Sequence, residues 1–424
     1  MKRKLMYTDL SKGVYVLGLV TFINEVGNFL FPFLELFLTQ KLGYTIAQTG
    51  FFIMFSMVVY VPGALFTSWL ADRFSRKKIV IVTEIFYALI MISCGFFIHI
   101  NPKMVPYLIL IALLFDGATD PARNALHADY TTPENRQEVL SFFYLCMNIG
   151  FAIGPAIAGF LFNSYLDWLF FGTGLITLVA TTIMFFAVSD KRPTKAMIKK
   201  SMKSRGTDKA VSGNVFKALA ARPLLVIYIV ISSIFGFCIS LVTFGLPLYS
   251  VSIFGLQGAS RYGLLMTINA VVVIIFTTTV VRFSKKHRPL SMICIAVFLY
   301  ALSYLFMGHT TSFALLIVLT VLFTLGEAFS ATNRDYFVIN HTPLGHRARF
   351  SSLFSIVQGS GYAIAPFIGG LIIHNVNYTM LFTFSSIMLF ACFGMFLFLR
   401  YLYIMRARAR QEIEEDLPIN KDEE

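Results

Sequence analysis

Charge is scarce in this chain. Asp, Glu, Lys and Arg make up 13% of 424 residues, against roughly 25% in a water-soluble domain, which excludes a molecule hydrated over its whole surface. Cysteine is sparse as well. Cys94, Cys146, Cys238, Cys294 and Cys392 each stand alone in an apolar stretch, so neither a disulfide framework nor a CxxC metal site is indicated. The seven histidines are dispersed, and no nucleophile and base or metal-ligand set converges, which argues against an enzyme and against a bound metal. No G-x-x-x-x-G-K-[ST] loop is present, so nucleotide hydrolysis is not the expected energy source. A proton gradient, with no cofactor, is. The first apolar run carries Asn24, Glu25, Asn28 and Glu35 with no small-residue cleavage site after it, so it is expected to stay in the protein rather than leave as a signal peptide.

Apolar residues fill the space that charge leaves, at 57% of the chain. A membrane-spanning helix needs about 20 of them in a row, and such runs recur along nearly the whole length. The pattern predicts an all-α integral membrane protein with helices near 13 to 38, 45 to 71, 79 to 99, 104 to 129, 139 to 163 and 166 to 188. Six more are expected near 223 to 250, 259 to 281, 289 to 308, 311 to 340, 351 to 374 and 377 to 403. Basic residues test that count, because Lys and Arg gather on the cytoplasmic side of a membrane protein. With both termini inside, only Lys41, Lys103 and Arg261 of the 35 Lys and Arg fall outside, while Arg123 and Arg334 lie within helices four and ten. An even number of spans in the cell (inner or plasma) membrane, both termini cytoplasmic, is the arrangement this bias supports. The net charge of +13 is read as topology signal and lipid contact, not as a nucleic-acid surface.

Internal repetition organises the chain. The string DRFSRKK at 72 to 78 returns as VRFSKKH at 281 to 287, and NIGFAIGPAIAGFL at 148 to 161 returns as GSGYAIAPFIGGLI at 359 to 372, with offsets of 209 and 211. This predicts two pseudo-symmetric six-helix bundles, residues 1–189 and 223–404, joined by a basic cytoplasmic linker at 190–222 and followed by a charged tail at 405–424. The end of the linker, VFKALAARP, reads as a short amphipathic surface helix, and the tail as disordered. Related halves of this kind place a substrate site near the bilayer midplane between them.

Between helices two and three, SWLADRFSRKKIV resembles the signature loop of the major facilitator superfamily, with Asp72, Arg73, Arg76 and Lys77 in the motif positions and Ser68 and Ser75 in place of its two glycines. The GPAIAG segment of helix five is similar to the motif of the drug:proton antiporter branch, although Ala158 stands where glycine is common. DPARNAL, TPENR and TLGEAF look like segments of multidrug efflux proteins of the MdtH and LmrP type. An arginine that many members place before a helix-four glycine is missing, Leu113 preceding Asp116 and Gly117. The resemblance implies a major facilitator fold of twelve helices. It also implies a conformational latch, with Asp72, Arg76 and Asp129 as the matching residues; by charge, Asp72 would face the positive N-terminus of helix eleven around Ser351 and Ser352. Val281 replaces the acid in the second half, so the latch is expected on one side only.

Ionisable groups within the spans are the candidate machinery, since an ionised carboxylate at mid-helix costs about 2.5 to 3.5 kcal/mol and belongs in a crevice. Glu25 and Asn28 share a face of helix one, either as a proton or cation site or as a polar network holding helices together. Asp116, Asp120 and Arg123 form one stripe on helix four, in which Asp120 and Arg123 can pair and Asp116 has no partner on its own helix. The repeat places Asp116 on Glu327 and Arg123 on Arg334, and Glu327 is the leading candidate for proton coupling. Glu84 in helix three is expected nearer the cytoplasmic surface and peripheral. Gly150, Gly154, Pro155 and Gly159 in helix five, with Gly361, Pro366 and Gly370 in helix eleven, give thin faces on which the halves approach and rock. With 45 Phe and 19 Tyr, a cavity minority of rings suits a hydrophobic or cationic small-molecule substrate.

The expected function is a monomeric, proton-coupled antiporter exporting drugs or similar amphipathic molecules by alternating access, with protons and membrane lipids as its other partners. The alternative within the same fold is a proton-coupled uptake symporter or a lysolipid transporter; a membrane enzyme or receptor is the rival from another class.

Overall fold

Apolar runs of this length have one stable form in lipid, because a helix satisfies its own backbone hydrogen bonds where no water can. The computed structural model describes residues 10–71, 74–131, 135–190, 223–284, 286–341 and 347–415, and they are helical almost throughout. The long helices are α1 (Lys12–Val26), α2 (Ile46–Ala71), α3 (Arg76–Ile100), α4 (Val105–Asp129), α5 (Arg136–Ser164) and α6 (Leu166–Ala187), then α7 (Pro223–Phe254), α8 (Gly258–Ser284), α9 (Pro289–Met307), α10 (Phe313–His341), α11 (Arg347–Asn375) and α12 (Tyr378–Glu415). Ten stretches among the described residues are long and apolar enough to cross a membrane. One of them, Pro223–Ser284, holds both α7 and α8, and the Gly- and Ser-bearing α11 is not among the ten. The chain is a multi-pass membrane protein.

Local signals set the ends. At the start of α2, Thr45 Oγ1 accepts from Gln48 N at 3.2 Å while Gln48 Oε1 accepts from Thr45 N at 2.9 Å, a reciprocal cap that satisfies two donors. Ser75 caps α3 by accepting from Lys78 N, and Pro289 opens α9, where its missing N–H costs nothing.

Two expectations about the helices need correction. The first span is not one helix over 13 to 38. It breaks after Val26 at Gly27 and continues as a 3₁₀ turn (Phe31–Phe33), a single α turn (Leu34–Leu36) and a wide turn (Phe37–Lys41). Pro32, which has no N–H to donate and crowds the preceding turn, lies at the break. The last helix does not stop near 403 but runs to Glu415, into the segment read as tail, because RARARQEIEE is rich in strong helix formers. The linker residues 191–222 and the final residues 416–424 lie outside the described residues.

The repeat is visible in the packing. In the first half α1 packs on α5 and α6, α2 on α4, α3 on α4 and α6. In the second, α7 packs on α11 and α12, α8 on α10, α9 on α10 and α12, the same graph six helices on. Among the described residues two extensive contacts cross between halves, α5 with α8 and α2 with α11, and the Leu34–Leu36 turn also touches α7.

Both crossings are tight at the end opposite the basic loops. A β-carbon on Gly159 of α5 would lie 2.8 Å from the Ala259 carbonyl oxygen of α8, and one on Gly370 of α11 would lie 2.7 Å from that of Ile46 on α2. Backbone meets backbone there. Ser260 Oγ donates to Gly159 O at 3.0 Å, Thr267 Oγ1 to Ala152 O at 2.8 Å and Asn163 Nδ2 to Leu256 O at 2.6 Å. Phe33 meets Tyr262, and Phe51 meets Phe367. Toward the basic end Leu140, Tyr144 and Tyr362 are exposed, and the close cross-seam contacts named above lie at the other end. Not all of the glycine motif serves this seam: Gly150 and Gly154 receive α1 at Glu25 and Val26, and Gly361 receives α7 at Ser233.

Gly370→Val should therefore separate α2 from α11, lowering stability by about 1 to 3 kcal/mol as overpacking does. Thermal unfolding in detergent measures it, and an unshifted midpoint would count against the seam described.

Candidate functional site

Glu84 is the centre of the polar interior, not a peripheral residue. Its side chain is 2% exposed. Asn24 of α1 donates to its Oε1 at 3.1 Å, Arg123 of α4 donates to the same oxygen at 3.0 Å, and Thr181 of α6 donates to Oε2 at 2.7 Å. Three charged or polar groups from three helices thus converge on one carboxylate. An ion buried in low dielectric needs such a set, because attraction offsets desolvation only when the remaining lone pairs are also satisfied.

Arg123 has a second partner. Its Nη1 donates to Asp120 Oδ1 at 3.1 Å, and Asp120 in turn accepts from the hydroxyl of Tyr60 on α2. The Asp120–Arg123 pair expected from i, i+3 spacing is present, but as half of a bridge. The chain of contacts runs Tyr60, Asp120, Arg123, Glu84, Thr181, across α2, α4, α3 and α6.

Next to this bridge lies a polar cavity of about 230 Å³ lined by Glu25, Asn28, Phe31, Asp116, Thr173 and Thr177 together with the bridge residues. The break in the first span brings Asn28 and Phe31 to its wall. Gly150 lets α5 approach to the β-carbon of Glu25. Asp116 makes no hydrogen bond or ion pair to the described residues, as its helix predicts, yet it lies within electrostatic reach of Asp120, Arg123, Glu25 and Glu84. Asn24 Oδ1, Asn28 Oδ1 and Arg123 Nε are buried with no protein partner. The cavity wall thus combines fixed charges with unspent hydrogen-bonding capacity. His127, beside the stripe, stacks on Phe143 at 4.2 Å and stays outside the bridge.

The second half keeps the carboxylate and changes its surroundings. Glu327 of α10 accepts from Asn269 Nδ2 of α8 at 2.9 Å, and Asn269 also donates to Thr324 Oγ1 at 2.9 Å. Tyr60 and Asn269 are 209 apart, the offset of the repeat, so each half uses the same position to hold a carboxylate on the helix two places on; in the first half the hold falls one turn later, on Asp120 instead of Asp116. Across the seam, Tyr144 of α5 comes within electrostatic reach of Glu327. Arg334 and Glu327 form no ion pair among the described residues. Around α9 the space is filled by rings, Phe235 on Tyr300 at 5.5 Å and Tyr300 on Phe323 at 6.0 Å.

At the basic end Arg76 donates to Asp129 Oδ1 and to Ala125 O, tying α3 to α4, and Lys77 donates to Phe185 O of α6 at 2.7 Å. These are three of the expected latch residues. Asp72 and Arg73 lie outside the described residues, as do the side chains of Ser351 and Ser352.

The sequence matches the family model described as Major Facilitator Superfamily over residues 17–333 and 258–419. The chain belongs to that superfamily. Among its relatives are the MFS-type transporter YqjV of Bacillus subtilis, 24% identical over 353 residues that cover 81% of each chain, and a Na(+), Li(+), K(+)/H(+) antiporter of Planococcus maritimus, 23% identical over 369 residues covering 81% of this chain and 85% of the other. The crystal structure of the nucleoside transporter NupG superposes with a TM-score of 0.70 at 15% identity, over 91% of this chain and 99% of that one. The fold is therefore the major facilitator fold, and the protein is an MFS transporter.

What sequence reasoning missed was Glu84. The signal was available: an acid alone between Lys78 and His99 in an apolar span requires a counter-charge, and Arg123 lies well inside a helix of the first half, away from the helix ends where Arg76 and Arg136 stand. Arg123→Met should strand the buried Glu84 and cost about 3 to 5 kcal/mol, and adding Glu84→Gln should recover much of it. Thermal unfolding of the two variants tests this; equal losses in the single and double variants would refute the bridge.

Proposed function

We propose that this MFS transporter is a proton-coupled antiporter of the cell membrane. It exports amphipathic small molecules by alternating access of two six-helix bundles, with its termini and basic loops cytoplasmic and the monomer as the working unit. The observation that carries this reading is the pairing of unmatched carboxylates at related depth in the two halves, Asp116 beside the polar cavity and Glu327 near the seam. Antiport is also the activity in the name of the Planococcus maritimus relative.

The chemistry follows from the surroundings of each acid. Glu25, Asp116, Asp120 and Glu84 share one arginine, so a proton taken up by any of them changes which carboxylates compete for Arg123. Neutralising Asp116 removes a repulsion from Asp120 and Glu84 and tightens the bridge; releasing the proton reverses this. Glu327, held by Asn269 with Tyr144 opposite, links the same kind of event to the distance between α5 and α10. The present arrangement, joined away from the basic loops, would be the inward-open state. Arg76 and Asp129 would belong to the latch that helps hold the other. Major-facilitator loop residues Asp72, Arg73 and Lys77 complete that proposal.

Reconstituted in liposomes with an imposed pH gradient, the protein should move an amphipathic fluorescent dye against its gradient and lose that ability with an uncoupler. Glu327→Gln should insert normally and abolish the proton-driven component, leaving dye exchange without a gradient; undiminished proton-driven transport in this variant would sink the proposal. Asp116→Asn should lower the same component at least about tenfold if its proton is part of the cycle.

A further inference from the structure

The two halves carry an arginine at the same repeat position, and only one of the pair is answered. Arg123 is bracketed by Glu84 and Asp120. Arg334, 211 residues on, makes no hydrogen bond or ion pair to any described residue, and its Nε is buried without a partner. The repeat explains the difference. Residue 84 maps by the same offsets to 293–295, an Ile-Cys-Ile stretch, and 120 maps to Ala331, so neither bridging acid has a counterpart. Among the described acids on its own helix, Glu327 lies two turns away at a rise of about 10 Å, and it is engaged by Asn269.

A guanidinium has five donors and stays charged under all conditions. Arg334 is half-buried with its Nε shut off from solvent, and holding a guanidinium there without an anion is costly enough that proteins rarely keep it without use. Its neighbours point to the kind of anion. Arg334 lies within electrostatic reach of Tyr300 and Tyr362. Tyr300 belongs to the ring cluster with Tyr304, Phe235 and Phe323, and Tyr362 on α11 is 36% exposed on the side where the halves part. A charge that prefers forked oxygen acceptors thus stands beside aromatic faces at the open end.

We propose that Arg334 is the anion-binding group of the transport site, and that the substrate is an aromatic amphipathic molecule bearing a carboxylate, sulfonate or phosphate. This replaces the cationic substrate expected from aromatic content: the first half's acids are gathered around their own arginine, while in the second half Glu327 is held by Asn269 and the cation of Arg334 is unanswered among the described residues. The proposal deepens the transport reading by naming the substrate class, but binding to Arg334 requires no proton gradient, so the two can fail separately.

Calorimetric titration of the purified full-length protein with 2-naphthoate, naphthalene-2-sulfonate, 2-naphthyl phosphate and the neutral 2-naphthamide tests it. At least one anion should bind about tenfold or more tightly than the amide, the factor a charge-assisted hydrogen bond supplies, and Arg334→Gln should erase that preference. Arg334→Lys, which keeps the charge but loses the fork, should weaken binding of the preferred anion severalfold, and it carries the test if the glutamine variant does not fold. Equal binding of all four probes by the unaltered protein, absence of binding by any anion, a preference that survives Arg334→Gln, or undiminished affinity in Arg334→Lys would each overturn the proposal. Loss of proton-driven transport in Glu327→Gln bears on coupling alone and leaves this result standing.

Discussion

A guanidinium in the interior of an apolar bundle calls for an answering charge, and in the first half the answer comes from the protein and organises five helices. Arg123 needs Glu84 and Asp120; Glu84 needs Asn24 and Thr181 for its remaining lone pairs; Asp120 takes Tyr60. Satisfying one ion therefore specifies the mutual placement of α1, α2, α3, α4 and α6 far more closely than oily side chains would. In lipid the apolar surfaces have little preference between each other and the acyl chains, so polar contacts and close packing decide where helices settle. The cavity beside the bridge follows from that placement, and so does the exposure of Asp116 to it.

Duplication preserved the packing graph and let the chemistry diverge. The second half has the same pairs of helices in contact, yet fills the counterpart of the bridge with Tyr300, Tyr304, Phe235 and Phe323. Ring packing contributes area and edge-to-face attraction without charge. The first half thereby gathers Glu25, Glu84, Asp116 and Asp120 around one arginine, while the second half holds the rings, the unanswered Arg334 and the single carboxylate of Glu327.

Much of this was legible in the sequence, and the exceptions share one cause. The spans and most of their ends follow from apolar run length and from local caps such as Ser75 and Thr45, all of which are properties of neighbours in the chain. The repeat placed Glu327 and Arg334 opposite Asp116 and Arg123 for the same reason. Glu84 was misjudged because spacing along α3 says which face it shares but not which helix comes round to meet that face; its partners are 39, 60 and 97 residues away. The break at Gly27 and Pro32 lay in plain view, but an apolar run reads as one helix until the turn residues are given weight over hydropathy. The extension of α12 to Glu415 reversed the usual error: charge suggested a tail where helix propensity prevailed.

The weakest plane in the molecule lies between the halves, and its composition bears on movement. Within the first half the buried Glu84 is paired with Arg123, which also meets Asp120, and these groups cannot part without leaving a charge unanswered; in the second half Asn269 donates to Glu327. Across the seam the joints are Ser260, Thr267 and Asn163 donating to backbone carbonyls, beside glycines that allow backbones to touch. A neutral hydrogen bond of this kind contributes about 0.5 to 1.5 kcal/mol net, whereas breaking a buried ion pair costs about 3 to 5. Separation at the seam is thus cheaper per contact than parting α3 from α4 in the first half, which favours relief of strain by moving that half as a unit. A bundle whose buried ion pair is internal to the first repeat, and whose seam is made of neutral hydrogen bonds, ring contacts and close backbone approach at Gly159 and Gly370, is built to rock before it is built to bend.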